Sequence, residues 1–208
     1  MTIILDLDYT LLDTGRFKEA LASVFAACGI DEQRFRQTYR QTAEYDPSAY
    51  DYDLERHIRL IAEDLTCPAD QLRAEVEAVL RRCAEFLYPG AKEFVVELRQ
   101  RGFRVILMTM GNAGWQNMKV NHSGLAELFD ETVLVRADKA AALSRFDTAE
   151  PPVFVVNDNY FEVRSMRAAK PNHNYIIKRG PKETRDDLGV PILDTFDQIL
   201  EEIQRQIN

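Results

Sequence analysis

The chain has 208 residues, of which 46% are hydrophobic, and a formal net charge of −8. That length fits one large domain, or one domain with a smaller insert, around a substantial core. The negative balance argues against a nucleic-acid or anionic-membrane partner, which would require a basic patch, but leaves room for a local positive site that takes a phosphorylated substrate.

In chain order, Ile3-Ile4-Leu5 forms a short apolar run with no polar face, as expected of a central strand in a parallel sheet. From Gly15 to Leu87 the pattern is helical. Phe17, Ala20, Leu21, Val24, Phe25 and Cys28 share one face, and Gly29 and Asp31 supply a stop and a new N-cap. Leu54, Ile58, Ile61 and Leu65 mark another helix, and Leu72 to Leu87 a longer one. The stretch Tyr45–Tyr52 between them is aromatic, acidic and non-periodic, and reads as a loop or a helix corner.

After Tyr88-Pro89-Gly90 the pattern changes. A helix carrying Phe94, Val95 and Leu98 is closed by Gly102. Strands at Phe103–Met108, Val133–Val135, Val153–Val156 and Tyr175–Ile177 then alternate with helical segments, one of them from Ala113 to Leu125. A helix carrying Phe196, Ile199, Leu200, Ile203 and Ile207 ends the chain. One strand, a helical block and then βα units imply a Rossmann-like parallel α/β core, residues 1–14 and 88–208, with an all-helical domain, residues 15–87, inserted.

No apolar run approaches a membrane span. With two residues ahead of the first strand, no signal peptide is expected. Cys28, Cys67 and Cys83 have neither metal-like spacing nor an even count, so free thiols in a reducing, cytoplasmic compartment are expected.

The chemistry gathers where the apolar runs end, because ligands of open α/β sheets bind at the carboxyl ends of the strands. Asp6 and Asp8 follow the first run, and alternation points them to one side. Thr109 and Gly111 follow the second, giving a hydroxyl and a backbone able to approach an anion. Lys139 follows the third, and Asn157, Asp158 and Glu162 the fourth. Lys119 and Lys170 are rivals to Lys139, but neither stands directly after a strand. Converging acids repel unless a cation or a shared proton relieves them. Mg²⁺ suits such a set, binding through one or two carboxylates plus phosphate oxygens, while lysine and hydroxyl suit a tetrahedral dianion. Phosphoryl transfer is the chemistry this predicts. The three histidines, His57, His122 and His173, are dispersed and read as surface or packing residues. Trp115 reads as a partly buried helix residue rather than a platform for substrate.

Asp6-Leu7-Asp8-Tyr9-Thr10, Thr109, Lys139, and Asp158 with Glu162, in this order, resemble the four motifs of the haloacid dehalogenase superfamily, in its phosphatase branch with a helical cap after the first motif. The resemblance implies that Asp6 is the nucleophile and forms an aspartyl-phosphate, and that Asp8 is the acid and base. It implies that Thr109, Gly111 and Lys139 hold the phosphoryl oxygens. Mg²⁺ would be bound by Asp6, the backbone carbonyl of Asp8 and Asp158, with Glu162 and Asn157 in support. Asn157 stands where the family commonly has glycine; its side chain either crowds the metal shell or adds a hydrogen bond to it. The substrate implied is a small phosphorylated metabolite. A phosphomutase and a catalytically weakened binding or regulatory domain are the alternatives. A haloacid dehalogenase is disfavoured by the second acid, Asp8.

Overall fold

The computed structural model describes residues 1–43, 52–146, 152–181 and 185–207. The first apolar run is strand β1 (Thr2–Leu5), buried along its whole length. Four helices follow: α1 (Thr14–Ala27), α2 (Glu32–Ala43), α3 (Leu54–Leu60) and α4 (Ala69–Arg81), with a 3-10 turn at Cys83–Phe86. Helix and strand then alternate through α5 (Ala91–Gln100), β2 (Arg104–Met110), α6 (Ala113–His122) and β3 (Glu131–Val135). The chain continues through α7 (Lys139–Ala142), β4 (Val153–Asn157), α8 (Tyr160–Ala169), β5 (Asn174–Lys178) and β6 (Ile192–Leu193) to α9 (Phe196–Ile207).

The sheet has the order β3-β2-β1-β4-β5-β6, with every neighbouring pair parallel. β1 is therefore central, which is why its apolar run has no polar face. Ile3 and Leu5 enter the core on one side of the sheet and Ile4 the core on the other. The chain order reverses about β1, which opens a crevice at its carboxyl end.

The helical block leaves and rejoins the sheet at one place. Leu12 bridges Leu87, Asp13 donates its N–H to the Phe86 carbonyl at 2.7 Å, and Tyr88 donates to Leu11 at 2.9 Å. Asp13 caps α1 by accepting from the Arg16 N–H, and Asp31 does the same for Arg34 ahead of α2. Inside the block, His57 is fully buried and stacks on Phe25 with ring centroids 4.6 Å apart. Thr38 Oγ1 gives its hydrogen to the Arg34 carbonyl at 2.8 Å, so His57 Nε2 donates to that oxygen and Nδ1 accepts from the Tyr52 hydroxyl at 3.0 Å. His57 is thus a packing residue, and burial lowers its pKa to about 4.

Several expectations change. The third helix stops at Leu60 rather than running to Leu65, because the Ile61 N–H folds back onto the His57 and Ile58 carbonyls and ends the turn. The fourth ends at Arg81 and tightens into the 3-10 turn. β6 was not anticipated: two residues give no periodicity to read. Residues 44–51, most of the expected loop, lie outside the described residues. Free thiols were expected, but Cys28 and Cys67 form a disulfide, leaving only Cys83 unpaired and buried. Their separation of 39 positions hid the pairing, which the fold creates by bringing the end of α1 against the turn before α4, with Cα atoms 5.0 Å apart. Among the described residues no helix is long and apolar enough to cross a membrane.

Candidate active site

The carboxyl end of β1 opens into a cavity of about 290 Å³. Asp6, Asp8, Gly111, Lys139, Asp158 and Glu162 line one part of it, and Lys18, Tyr39, Tyr52 and Trp115 another. Residues from four strand ends meet there because the strands are parallel and in register: Leu5 lies opposite Leu107 on one side and Val156 on the other. Asp6 stays tied to the sheet through its N–H, which donates to the Val156 carbonyl at 3.0 Å.

Beyond β1 the backbone turns sharply. Tyr9 has φ 60°, the only positive value at a non-glycine residue among those described, and its N–H is held by the Leu12 carbonyl at 2.8 Å. This left-handed residue sends the chain into the helical block immediately after the two acids.

Asp6 and Asp8 line the same cavity but face different partners. Lys139, 5% exposed, places Nζ 2.7 Å from Asp6 Oδ1 and 2.8 Å from Glu162 Oε2. Burial is the main influence raising the Asp6 pKa. Lys139 opposes it, and Glu162 and Asp158 add to it. Burial also works against the charge on Lys139, but Asp6 and Glu162 more than offset it and hold the ammonium protonated.

Asp8 is surrounded by donors. Lys119 Nζ lies 2.6 Å from both of its oxygens, Thr14 Oγ1 donates to Oδ1 at 2.7 Å, and Gln116 Nε2 donates to Oδ2 at 3.0 Å. Burial pushes its pKa up, but Lys119 and the hydrogen bonds win and bring it down to about 2. In this arrangement Asp8 is a carboxylate with its lone pairs occupied.

The sequence reading missed these partners of Asp8. Lys119 does not follow a strand, yet it is 3% exposed. It lies three residues beyond Gln116 on one face of α6, and that spacing was the signal that could have found the pair. Thr14, the first residue of α1, gave no such signal.

Thr109, at the end of β2, is fully buried, and its Oγ1 has no hydrogen-bond partner. Such a hydroxyl fits an incoming oxygen. Gly111 lines the cavity with φ 141°, but its own N–H is already given to the Val135 carbonyl at 2.9 Å, so that group does not reach an anion. Asn112 caps α6 by accepting from the Trp115 N–H.

At the end of β4, Asn157 Nδ2 donates to Glu162 Oε2 at 2.9 Å, and its Oδ1 accepts the Asn159 N–H at 2.7 Å. It therefore acts as a brace for Glu162. The N-cap of α8 is Asn159, not Asp158, and Asp158 lines the cavity. Gly180 packs so close to Asp158 that a Cβ there would lie 3.3 Å from the Asp158 Cβ. Trp115 is 5% exposed and lines the cavity while packing on Phe17 and Tyr52.

No group of three His, Cys, Asp or Glu side chains is gathered into a metal cage among the described residues. A set of two carboxylates and one backbone carbonyl does not require such a cage, and Mg²⁺ commonly binds through that few protein ligands, completed by phosphate oxygens and water. The excess of acids around Asp6 fits a cation.

A family model described as haloacid dehalogenase-like hydrolase matches residues 1–170. No match was found among curated proteins. Among solved structures, a protein from Burkholderia xenovorans assigned as a haloacid dehalogenase-like hydrolase superposes with a TM-score of 0.78 at 17% identity, covering 100% of this chain and 98% of the other. A dehalogenase captured with an intermediate gives 0.68 at 15%, covering 95% and 94%. A predicted phosphoglycolate phosphatase from Haemophilus somnus gives 0.64 at 15%, covering 97% of each chain. At these identities the likeness is one of fold.

Proposed function

Because the chain belongs to the haloacid dehalogenase-like hydrolases, we propose that it is a Mg²⁺-dependent phosphatase that hydrolyses a small phosphorylated metabolite through an aspartyl-phosphate on Asp6. The observation that carries this reading is the grouping of Asp6 and its lysine, Lys139, at 2.7 Å, in a cavity whose other acids include Asp8, the residue that argues against dehalogenation. A cavity of about 290 Å³ suits a small ligand.

Asp6 attacks phosphorus, and the P–O bond to the alcohol breaks. Lys139 and the Thr109 hydroxyl hold the equatorial oxygens. Asp8 gives a proton to the leaving oxygen, then takes one from the water that opens the acyl phosphate. With its lone pairs occupied, Asp8 must loosen its contact with Lys119 to hold the proton in either task. Asp6, Asp158 and the Asp8 carbonyl would hold Mg²⁺, which supplies charge neutralisation for the phosphoryl group. Glu162, braced by Asn157, keeps Lys139 in place. The helical block, residues 15–87, acts as a cap that shields the site and selects the substrate.

The test is a panel of phosphorylated sugars, nucleotides and acids assayed with Mg²⁺ and with chelator, plus mass spectrometry of acid-quenched protein. Phosphate release that stops with chelator, and label on Asp6, is the expected result. Full activity in excess chelator would overturn the metal assignment. The saturated Asp8 favours one second reading, a catalytically weakened domain used for binding. A complete lack of turnover across the panel would select it.

A further inference from the structure

We infer that Gln116 is a catalytic residue of the second step: its side-chain oxygen, Oε1, accepts one hydrogen of the attacking water while Asp8 takes the other. The inference rests on the aspartyl-phosphate reading and adds to it a residue outside the four motifs. Gln116 lies in α6, lines the cavity and is 4% exposed. Both hydrogens of its Nε2 are spent, one on the Asp8 carboxylate at 3.0 Å and one on the Met110 carbonyl at 2.8 Å. Those two acceptors fix which end of the amide is nitrogen. Oε1 is buried and, among the described residues, has no hydrogen-bond partner.

A buried amide oxygen left unpaired costs stability and calls for a donor. It carries no hydrogen, so a phosphoryl oxygen is not its partner. A metal ion is disfavoured there by the Lys119 ammonium, which lies 2.6 Å from the same Asp8 oxygen that the amide holds. What fits is an O–H or N–H donor beside Asp8.

The hydrolytic water is such a donor, and it has two hydrogens to place. As its oxygen bonds to phosphorus, the acyl P–O bond breaks and the electron pair returns to the Asp6 carboxylate. One hydrogen passes to Asp8 as a proton. The other stays on the oxygen, becomes a hydroxyl hydrogen of the released phosphate, and needs an acceptor throughout. Nε2 pins the amide to Asp8, so Oε1, on the same carbon, is held next to the base. Glutamine side chains orient attacking water in other phosphoryl transfers. While Lys119 holds both Asp8 oxygens the atom is closed off. The loosening that lets Asp8 take a proton is also what admits the water.

The experiment exploits the single hydroxyl hydrogen of an alcohol. When methanol attacks instead of water, Asp8 takes that hydrogen and Oε1 has nothing to hold. The Mg²⁺-loaded protein is given an aryl phosphate in mixtures of water and methanol, and methyl phosphate and inorganic phosphate are counted by phosphorus NMR. Both products come from one phosphoenzyme, so their ratio reads the second step alone, whatever fraction of a variant is folded. Gln116→Met should raise the ratio of methyl phosphate to phosphate about fivefold or more. Gln116→Glu keeps an oxygen in place of Oε1 but gives up the donor to Asp8, and its ratio should stay within about twofold of the unmodified protein. Lys119→Met disturbs Asp8 and leaves Oε1, and should do the same. A ratio that Gln116→Met leaves unchanged, a rise shared alike by all three variants, or no methyl phosphate from the unmodified protein would overturn the inference. Label missing from Asp6 would overturn the aspartyl-phosphate reading beneath it, whereas label on Asp6 with an unchanged ratio overturns this inference alone.

Discussion

On the α7–α8 flank of the cavity, one ammonium, Lys139, is shared by Asp6 and Glu162, with Asp158 adding further negative charge. On the α6 flank, Lys119 serves Asp8 alone, aided by Thr14 and Gln116. Two acids that flank a single residue are therefore shifted in opposite directions, Asp6 upward and Asp8 down to about 2. The local count of charges and donors sets the sign. The first flank gathers three acids, Asp6, Glu162 and Asp158, with Lys139, a set suited to receive a cation and a phosphoryl group. On the second the charges are already matched, and four hydrogen bonds keep the Asp8 carboxylate in place.

The most severe way to test this contrast is to remove each acid. Asp6→Asn should abolish turnover and phosphoenzyme together. Asp8→Asn should lower turnover by about a hundredfold to ten-thousandfold. With an aryl phosphate, whose leaving group needs little protonation, Asp8→Asn should accumulate label on Asp6, visible by mass spectrometry after acid quench. Label on any other residue would show that the roles are misassigned.

A smaller effect should distinguish the flanks by metal. Asp158→Asn should weaken Mg²⁺ binding measured by calorimetry by about tenfold to a hundredfold, whereas Lys119→Met should leave it within about threefold. Equal losses in the two variants would mean that the flanks are not electrostatically separate.

Lys119→Met should also register in acid stability. A carboxylate whose folded pKa is depressed stabilises the fold fully above its unfolded value, near 4, and this contribution fades as pH falls toward the folded value of about 2. The contribution of Asp8 is about 2 kcal/mol. In Lys119→Met the loss of stability between pH 4 and pH 2, followed by denaturant titration, should be shallower. An unchanged slope would mean that Lys119 does not hold Asp8.

The mildest test concerns the brace. Asn157→Gly removes the contacts to Glu162 and to the Asn159 N–H. Turnover should fall by about twofold to tenfold, with the fold retained. A rise in turnover would instead show that the Asn157 side chain crowds the site.

The strand ends were legible because each is an apolar run followed at once by polar residues, and the parallel sheet brings such ends together. Asp6, Lys139, Asp158 and Glu162 were singled out in this way, and they line one cavity. Gln116 and Lys119 lie inside α6 rather than directly after a strand, and only the packing of α6 against the turn after β1 brings them to Asp8. Gly111 was read as freeing an N–H for an anion, but sheet pairing with Val135 takes that N–H first. Helix ends were less legible than helix faces. The apolar spacing at Ile61 and Leu65 continues past the point where the backbone of α3 folds back, so periodicity alone overran the end.

The covalent link between Cys28 and Cys67 lies wholly inside the helical block, closing a stretch of chain with a sequence separation of 39. A crosslink acts on the disordered ensemble, because a closed ring of that size has far fewer conformations than an open chain. Loop-closure entropy for this length corresponds to about 4 kcal/mol. Partial opening that lets α1 part from the start of α4 is therefore resisted by a term that the sheet does not share. Amide exchange under a reductant should accelerate in α1 through α3 and leave the rates of β1, β2 and β4 unchanged. The helical stretch and the strands would then differ in how their local stability answers to thiol chemistry, although one core joins them.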